Sequence, residues 1–296
     1  MSNKVKSENK VIRVLANGGL GNQLFIWNLA HNLENKYRRK IEIIYPASGT
    51  NRVCEILHLM DYCSHQIKVT ESNKLHYAFA VLERINRKSS VMARLLTQIF
   101  NISQTNLPSE IFEHSSKPPR FIRGYFQSPA FVEETIDLYR SELLIATKTA
   151  AENSEYWNSD VTKTKMLHIR RGDFISTKAN IGLLSIEYFA SKVKKGEKVI
   201  IFTDAKKDDP EIKGSFPNSV IFGSDLLDTW TSFSLLSHTS HLIASNSTFS
   251  WWAGFISLMR GGIVTAPNPW TRTSVYGEHY LETKGFSVSP SQFVEV

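Results

Sequence analysis

The chain has 296 residues, 42% of them hydrophobic, and its 35 Lys and Arg against 28 Asp and Glu leave a formal net charge of +7. That is enough for two moderate domains with substantial cores, and the charge points to an anionic partner: nucleic acid, a membrane face or a phosphorylated small molecule. With Cys54 and Cys63 as the two cysteines, a polar Met1 to Lys10 and no apolar run of bilayer length, the composition argues against a disulfide framework, a signal peptide and a membrane span, so a soluble, cytoplasmic protein is expected.

Val11 to Ala16 is an apolar run of strand length, followed by the glycine turn Asn17 to Asn22 and a helical pattern through Arg38. Such a turn either brings backbone close to an anion at a helix N-terminus or serves packing alone. The dinucleotide fingerprint is incomplete, because Leu24 occupies the third glycine position counted from Gly19. Lys40 to Pro46 reads as a second strand, Arg52 to Met60 as a helix, and Ala78 to Phe100 as largely helical. Asn101 to Pro119 reads as irregular, and Arg120 to Tyr125 as a strand. Ser128 and Pro129 then supply an N-cap and a first helical residue for a helix through about Leu144. Glu133, Glu134 and Asp137 favour the start of that helix through its dipole. The polar stretch Thr147 to Thr164 marks a domain boundary, giving domains 1–155 and 156–296.

The second half repeats the alternation. Lys165 to Arg170 is a strand, Ser185 opens a helix, Val199 to Thr203 is a strand ending at Asp204, and Asp209 with Pro210 starts a short helix. Val220 to Phe222, Leu226 to His238 and His241 to Ser245 continue strand, helix, strand, which is the signature of a parallel sheet. Arg170 and Arg171 arrive where the first of these strands gives way to the turn at Gly172. In open α/β sheets that end of a strand faces the ligand, and arginine's planar donor fork matches phosphate oxygens. Strand alternation puts His168 and Arg170 on one side and Arg171 on the other. Ser245 to Phe255 joins a strand to a helix that is apolar nearly all round. Ser247 or Thr248 can cap that helix, and its free N–H groups suit a phosphate or a base edge, while Trp251 and Trp252 read as core.

Four segments carry a family resemblance: GGLGNQLF from Gly18, GYFQS from Gly124, HIRRGDF from His168 and NSTFSWW from Asn246. In their order and spacing the chain resembles glycosyltransferase family 11, the α-1,2-fucosyltransferases, and is similar in size to the bacterial members. The resemblance implies an α/β, GT-B-like fold, two Rossmann-like halves with mainly parallel sheets facing a central cleft. The N-terminal half would take the acceptor side and the C-terminal half GDP-β-L-fucose. It also implies inverting transfer without a metal or other cofactor, which agrees with the absence of any Asp-x-Asp. Carried over by motif, Arg170 binds the β-phosphate of the leaving GDP, and Arg171 and Asp173 shape the loop and the fucose pocket. His168, Ser247, Thr248 and Phe249 face the nucleotide, Gly21, Asn22 and Gln23 approach the donor from the N-terminal half, and Asp204 matches a family acidic residue.

Two positions depart from the family pattern. Ala205 stands where a second Asp is common, and Ser232 stands where an Asp precedes Leu-Met-Ser, leaving Asp228 or Asp225 to substitute from nearby. The expected reaction is attack by O2 of a β-galactoside on C1 of fucose. Asp173 is the candidate base, with a structural carboxylate as its alternative reading. For bacterial relatives the expected acceptor is a galactose-containing, lipid-linked O-antigen intermediate at the inner face of the cytoplasmic membrane, which implies peripheral membrane association. The competing readings are a different regiochemistry, another purine sugar nucleotide, or a basic nucleic-acid-binding protein. The last is disfavoured by dispersed basic residues and the lack of a recognisable module, so no nucleic acid is expected.

Overall fold

The computed structural model describes residues 11–46, 53–63, 67–112, 118–172, 174–177, 181–273 and 280–295. They form two units, Met1–Glu142 and Leu143–Val296. In the first, β1 (Ile12–Leu15) is buried except at Arg13, whose Nε pairs with Glu42 at 2.8 Å. α1 (Leu20–Tyr37) is enclosed on nearly every side as far as Leu33, so its sequence has apolar residues all round rather than on one stripe. β2 (Ile41–Tyr45), a 3-10 helix (Glu55–Tyr62), β3 (Ile67–Glu71), α2 (Asn73–Lys88), α3 (Ser90–Phe100), β4 (Ile102–Gln104) and α4 (Pro108–Phe112) follow. β5 (Phe121–Arg123), α5 (Pro129–Thr135) and a 3-10 turn (Ile136–Leu138) complete the series, and α6 (Arg140–Glu152) starts in the first unit and continues into the second. The sheet is parallel throughout in the order β3-β2-β1-β5-β4, with Val14 aligned between Ile43 and Ile122.

The second unit comprises α7 (Ser159–Lys163), β6 (Met166–Ile169), α8 (Phe174–Thr177), α9 (Ile186–Ala190), β7 (Ile200–Thr203) and α10 (Pro210–Ser215). β8 (Val220–Phe222), α11 (Thr229–Leu236), β9 (His241–Ile243), α12 (Thr248–Met259), β10 (Ile263–Asn268) and β11 (Ser287–Pro290) complete it. Its sheet, β11-β10-β9-β6-β7-β8, is also parallel. Leu167 pairs with Ile201 on one side and Ile243 on the other, and packs with Ile169, Tyr188, Phe189 and Ile212 into a core under α9 and α10. Two parallel-sheet α/β halves are the architecture expected from the sequence.

The strand orders decide where function can sit. In the first sheet the chain leaves β1 toward β2 and β3, then returns to pair β5 on the other edge of β1. In the second it leaves β6 toward β7 and β8, then returns to pair β9. Each reversal is a topological switch point, where the loops after adjacent strands diverge and open a crevice. The loops after β1 and β5 carry GGLGNQLF and GYFQS, and those after β6 and β9 carry HIRRGDF and NSTFSWW.

Local differences from the sequence reading have identifiable causes. The helix expected through Leu144 breaks at Tyr139 (φ −143), whose buried ring stacks on His31 and whose hydroxyl donates to Asn28 Oδ1 at 2.9 Å. The helical stretch ending at Phe100 divides at Ser89, which is extended and accepts Met92 N–H on its hydroxyl at 3.3 Å. The region read as irregular contains β4 and α4, and the polar stretch after Thr147 holds the end of α6 and all of α7.

Candidate functional site

β6 brings His168 into the sheet nearly fully buried, and the imidazole lies against Phe249 of α12 with ring centroids 4.8 Å apart. Its Nδ1 meets the Ser250 hydroxyl, which already accepts Ser245 N–H at 3.1 Å. Burial, with the Arg170 charge nearby, holds the imidazole down to about 3. His168 is thus a neutral side chain joining the two motifs across the switch point.

Past the strand end, Arg170 and Arg171 have different partners. Arg170 Nη1 lies 2.9 Å from Asp204 Oδ2, and its guanidinium sits over the Phe174 ring at 5.4 Å. Arg171 is buried and its Nη2 meets Glu211 at 2.7 Å, in the first turn of α10. Asp204 also accepts the Arg171 N–H on Oδ1 at 2.6 Å. One carboxylate at the end of β7 therefore fixes both the loop backbone and the Arg170 head. A Cβ at Gly172 would fall on the Asp204 carboxylate, which would have to shift. Asp173 lies outside the described residues.

The other wall is the start of α12. Ser247 is its N-cap, accepting Phe249 N–H at 3.3 Å, and Thr248 is the first helical residue. Asn246 anchors the approach by donating to Gly182 O at 2.9 Å. Trp251 and Trp252 are fully buried, and Trp251 Nε1 donates to Thr283 Oγ1 at 2.6 Å, so both belong to the core. The second unit thus gathers His168, Arg170, Arg171, Asp204, Ser247, Thr248 and Phe249 around one sheet end. Sequence reasoning missed Ser250 and Glu211, the partners of His168 and Arg171. Ser250 lay inside a quoted motif, whereas Glu211 offered no signal beyond an acidic first turn.

Gly21, Asn22 and Gln23 lie in the first unit, in the opening turn of α1 behind Gly19. Gln23 is fully buried: its amide donates to Gly18 O at 3.0 Å and Val53 O at 2.9 Å, and its carbonyl accepts Glu55 N–H at 2.8 Å. That side chain joins the glycine turn to the 3-10 helix. Asn22 Oδ1 accepts from Gln127 Nε2 at 2.7 Å, connecting the two N-terminal motifs across their switch point. Gly18 has φ +84, and a Cβ there would stand 2.5 Å from Asn22 Nδ2.

Asp225 and Asp228, the candidates to replace the aspartate missing at Ser232, have local tasks. Asp225 accepts Lys207 N–H at 3.0 Å, which holds its carboxyl below the ordinary range. Asp228 caps α11 through Thr231 N at 2.8 Å; burial pushes its carboxyl up, but hydrogen bonds from Thr231 outweigh that and hold it low. Among the described residues, His31, Cys63 and Glu142 of the first unit form a group of candidate metal ligands, with donor atoms within 4.8 Å of one another. His31 Nε2 lies 3.5 Å from Glu142 Oε2, with its ring packed against Trp27 and Tyr139.

A family model described as glycosyl transferase family 11 matches residues 11–279. The chain is similar to the O-antigen biosynthesis glycosyltransferase WbnK of Escherichia coli, 24% identical over 291 residues that cover 86% of this chain and 92% of that protein. It is also similar to an α-1,2-colitosyltransferase of Escherichia coli, 26% identical over 152 residues, 46% of this chain and 48% of that protein. Among solved structures, the E. coli ADP-heptose LPS heptosyltransferase II is similar with a TM-score of 0.49 at 11% identity, covering 95% of this chain and 90% of that one.

Proposed function

This chain belongs to glycosyl transferase family 11, and we propose that it transfers L-fucose from GDP-β-L-fucose, with inversion, to O2 of a β-galactoside acceptor. The acceptor is an O-antigen or related glycan, lipid-linked and met at the inner face of the cytoplasmic membrane. The observation that carries this reading is the meeting of HIRRGDF and NSTFSWW at one switch point, where His168 contacts Ser250 and Phe249 of α12 and Asp204 holds Arg170. The likeness to an O-antigen biosynthesis glycosyltransferase and to an α-1,2-colitosyltransferase supports the glycan class and the 1,2 linkage.

In this reading the bond from C1 of fucose to the β-phosphate oxygen breaks as the acceptor O2 attacks from the opposite face. Negative charge grows on the departing GDP, and Arg170 stabilises it. Removing one such transition-state donor costs on the order of 10² to 10³ in turnover. His168, held neutral by burial, faces the nucleotide without adding a second charge. The N–H groups at the start of α12 take part of the diphosphate. Arg171, engaged with Glu211, keeps the loop in shape rather than meeting substrate, and Asp204 positions Arg170. Asp173 takes the acceptor proton. No divalent ion takes part.

The colitosyltransferase relative favours a second reading, in which the donor sugar is colitose. One experiment tests both: the purified chain is incubated with a panel of purine sugar nucleotides and galactosides in the presence of chelator. GDP release and linkage analysis of the product follow. Transfer of fucose to O2 is expected. Another sugar, another linkage or a strict manganese requirement would overturn the primary reading.

A further inference from the structure

Helix α3 has one fully buried side chain, Ala93, and turns most of its apolar surface outward. Val91, Leu95 and Ile99 recur every fourth residue at 69%, 54% and 72% exposure, so they line up as one stripe. Met92 lies beside the stripe and is more than half exposed. At 100° per residue, Arg94 and Gln98 border it on the polar side. Single exposed apolar side chains are ordinary, but four on one face of an 11-residue helix form a patch suited to a partner.

The surrounding charge indicates what. α2 and α3 pack on each other, and from Asn73 to Phe100 the chain carries Lys74, Arg84, Arg87, Lys88 and Arg94, all exposed. The one acid in that segment, Glu83, is paired with Arg123 at 2.5 Å. An apolar stripe bordered by Arg94, on a helix packed beside one that carries further exposed cations, is the pattern of a helix lying in a lipid interface, with apolar side chains among the upper acyl groups and cations on the headgroup phosphates. A second copy packed stripe to stripe about a two-fold axis would instead bring the same cations together. Among the described residues no helix is long and apolar enough to cross a membrane, so surface attachment is the geometry that fits.

We propose that α3 docks this protein on an anionic lipid bilayer through Val91, Leu95 and Ile99, with Arg84, Lys88 and Arg94 attracting the headgroups. The reason for a membrane to be present rests on the acceptor proposed above, whereas docking itself is measured with neither donor nor acceptor.

The full-length chain is sedimented with phosphatidylcholine vesicles, with and without phosphatidylglycerol, at low and high salt. Binding to the anionic vesicles is expected. It should fall by at least roughly tenfold in a Val91→Ser, Leu95→Ser, Ile99→Ser variant. An Arg84→Gln, Lys88→Gln, Arg94→Gln variant should weaken binding and flatten its salt dependence. Both variants should keep the wild-type melt and transfer to a water-soluble acceptor at the wild-type rate. No wild-type binding, or binding unchanged in both variants, would overturn the assignment. So would a dimer that the serine variant abolishes, which would assign the stripe to a second copy. A wild-type chain that docks but transfers no fucose would sink the sugar reading alone.

Discussion

Exchanging Asp204 for Asn removes the charge that holds Arg170 and keeps the side chain's shape. Oδ1 still accepts Arg171 N–H, observed at 2.6 Å, but the new amide nitrogen meets the guanidinium at the 2.9 Å occupied by Oδ2, donor against donor. The two side chains are 23% and 21% exposed, so an effective dielectric of about 20 applies and the gross attraction is about 6 kcal/mol. Desolvation and side-chain entropy cancel much of that, leaving about 1.5–3 kcal/mol, the usual range for a hydrogen bond to a charged group. The expected loss in kcat/KM is therefore roughly 10- to 150-fold. The assay is GDP release in a double-mutant cycle with Arg170→Ala, which alone should lose at least about 10²-fold. If Asp204 acts by positioning Arg170, adding Asp204→Asn to Arg170→Ala should cost less than about threefold. Equal losses in both backgrounds, with both proteins folded, would refute the reasoning.

Gly172→Ala should reproduce the kinetic defect of Asp204→Asn, because the added methyl would displace the same carboxylate; wild-type kcat/KM would show that the loop has room. Burial and Arg170 hold His168 down to about 3, against the 6.5 that it regains on unfolding, so between those values the unfolded chain binds a proton that the native chain lacks. This contribution is complete above about pH 6.5 and is lost at about 1.4 kcal/mol per pH unit as pH falls toward about 3. Urea midpoints should accordingly drop less steeply with acid in His168→Gln, and parallel slopes would contradict the burial. Gln23→Ala strands buried backbone groups at both ends of the amide and should lower unfolding free energy by about 3 kcal/mol in urea titrations. Transfer should continue at an unchanged rate after exhaustive chelation; loss restored by manganese would show that a divalent ion shares the phosphate charge.

The helix starts at Ser128, Ser185, Asp209 and Ser247 were legible because capping is local: a hydroxyl or carboxylate meets N–H groups two or three residues away. The apolar runs of β1, β6 and β7 were legible for a similar reason, since a strand buried on both faces is apolar along its length. Edge strands such as β4 and β11 were not, because three or four largely polar residues carry no distinctive pattern. The trio at Gly21, Asn22 and Gln23 was found as a motif, yet the engagement of Gln23 with Val53 and Glu55 could not be inferred, because those contacts span 30 and 32 residues.

The sequence by itself determined the alternation of strands and helices, the four motifs and the family they mark, all of which depend on residue identity and near neighbours. Only the tertiary structure decided that β6 lies between β7 and β9. That order brings Asp204 to Arg171 across 33 residues and Ser250 to His168 across 82. The physical reason is that a strand's side chains report whether it is buried, while its neighbours are chosen by the crossovers and by packing of the whole sheet, which no local pattern records.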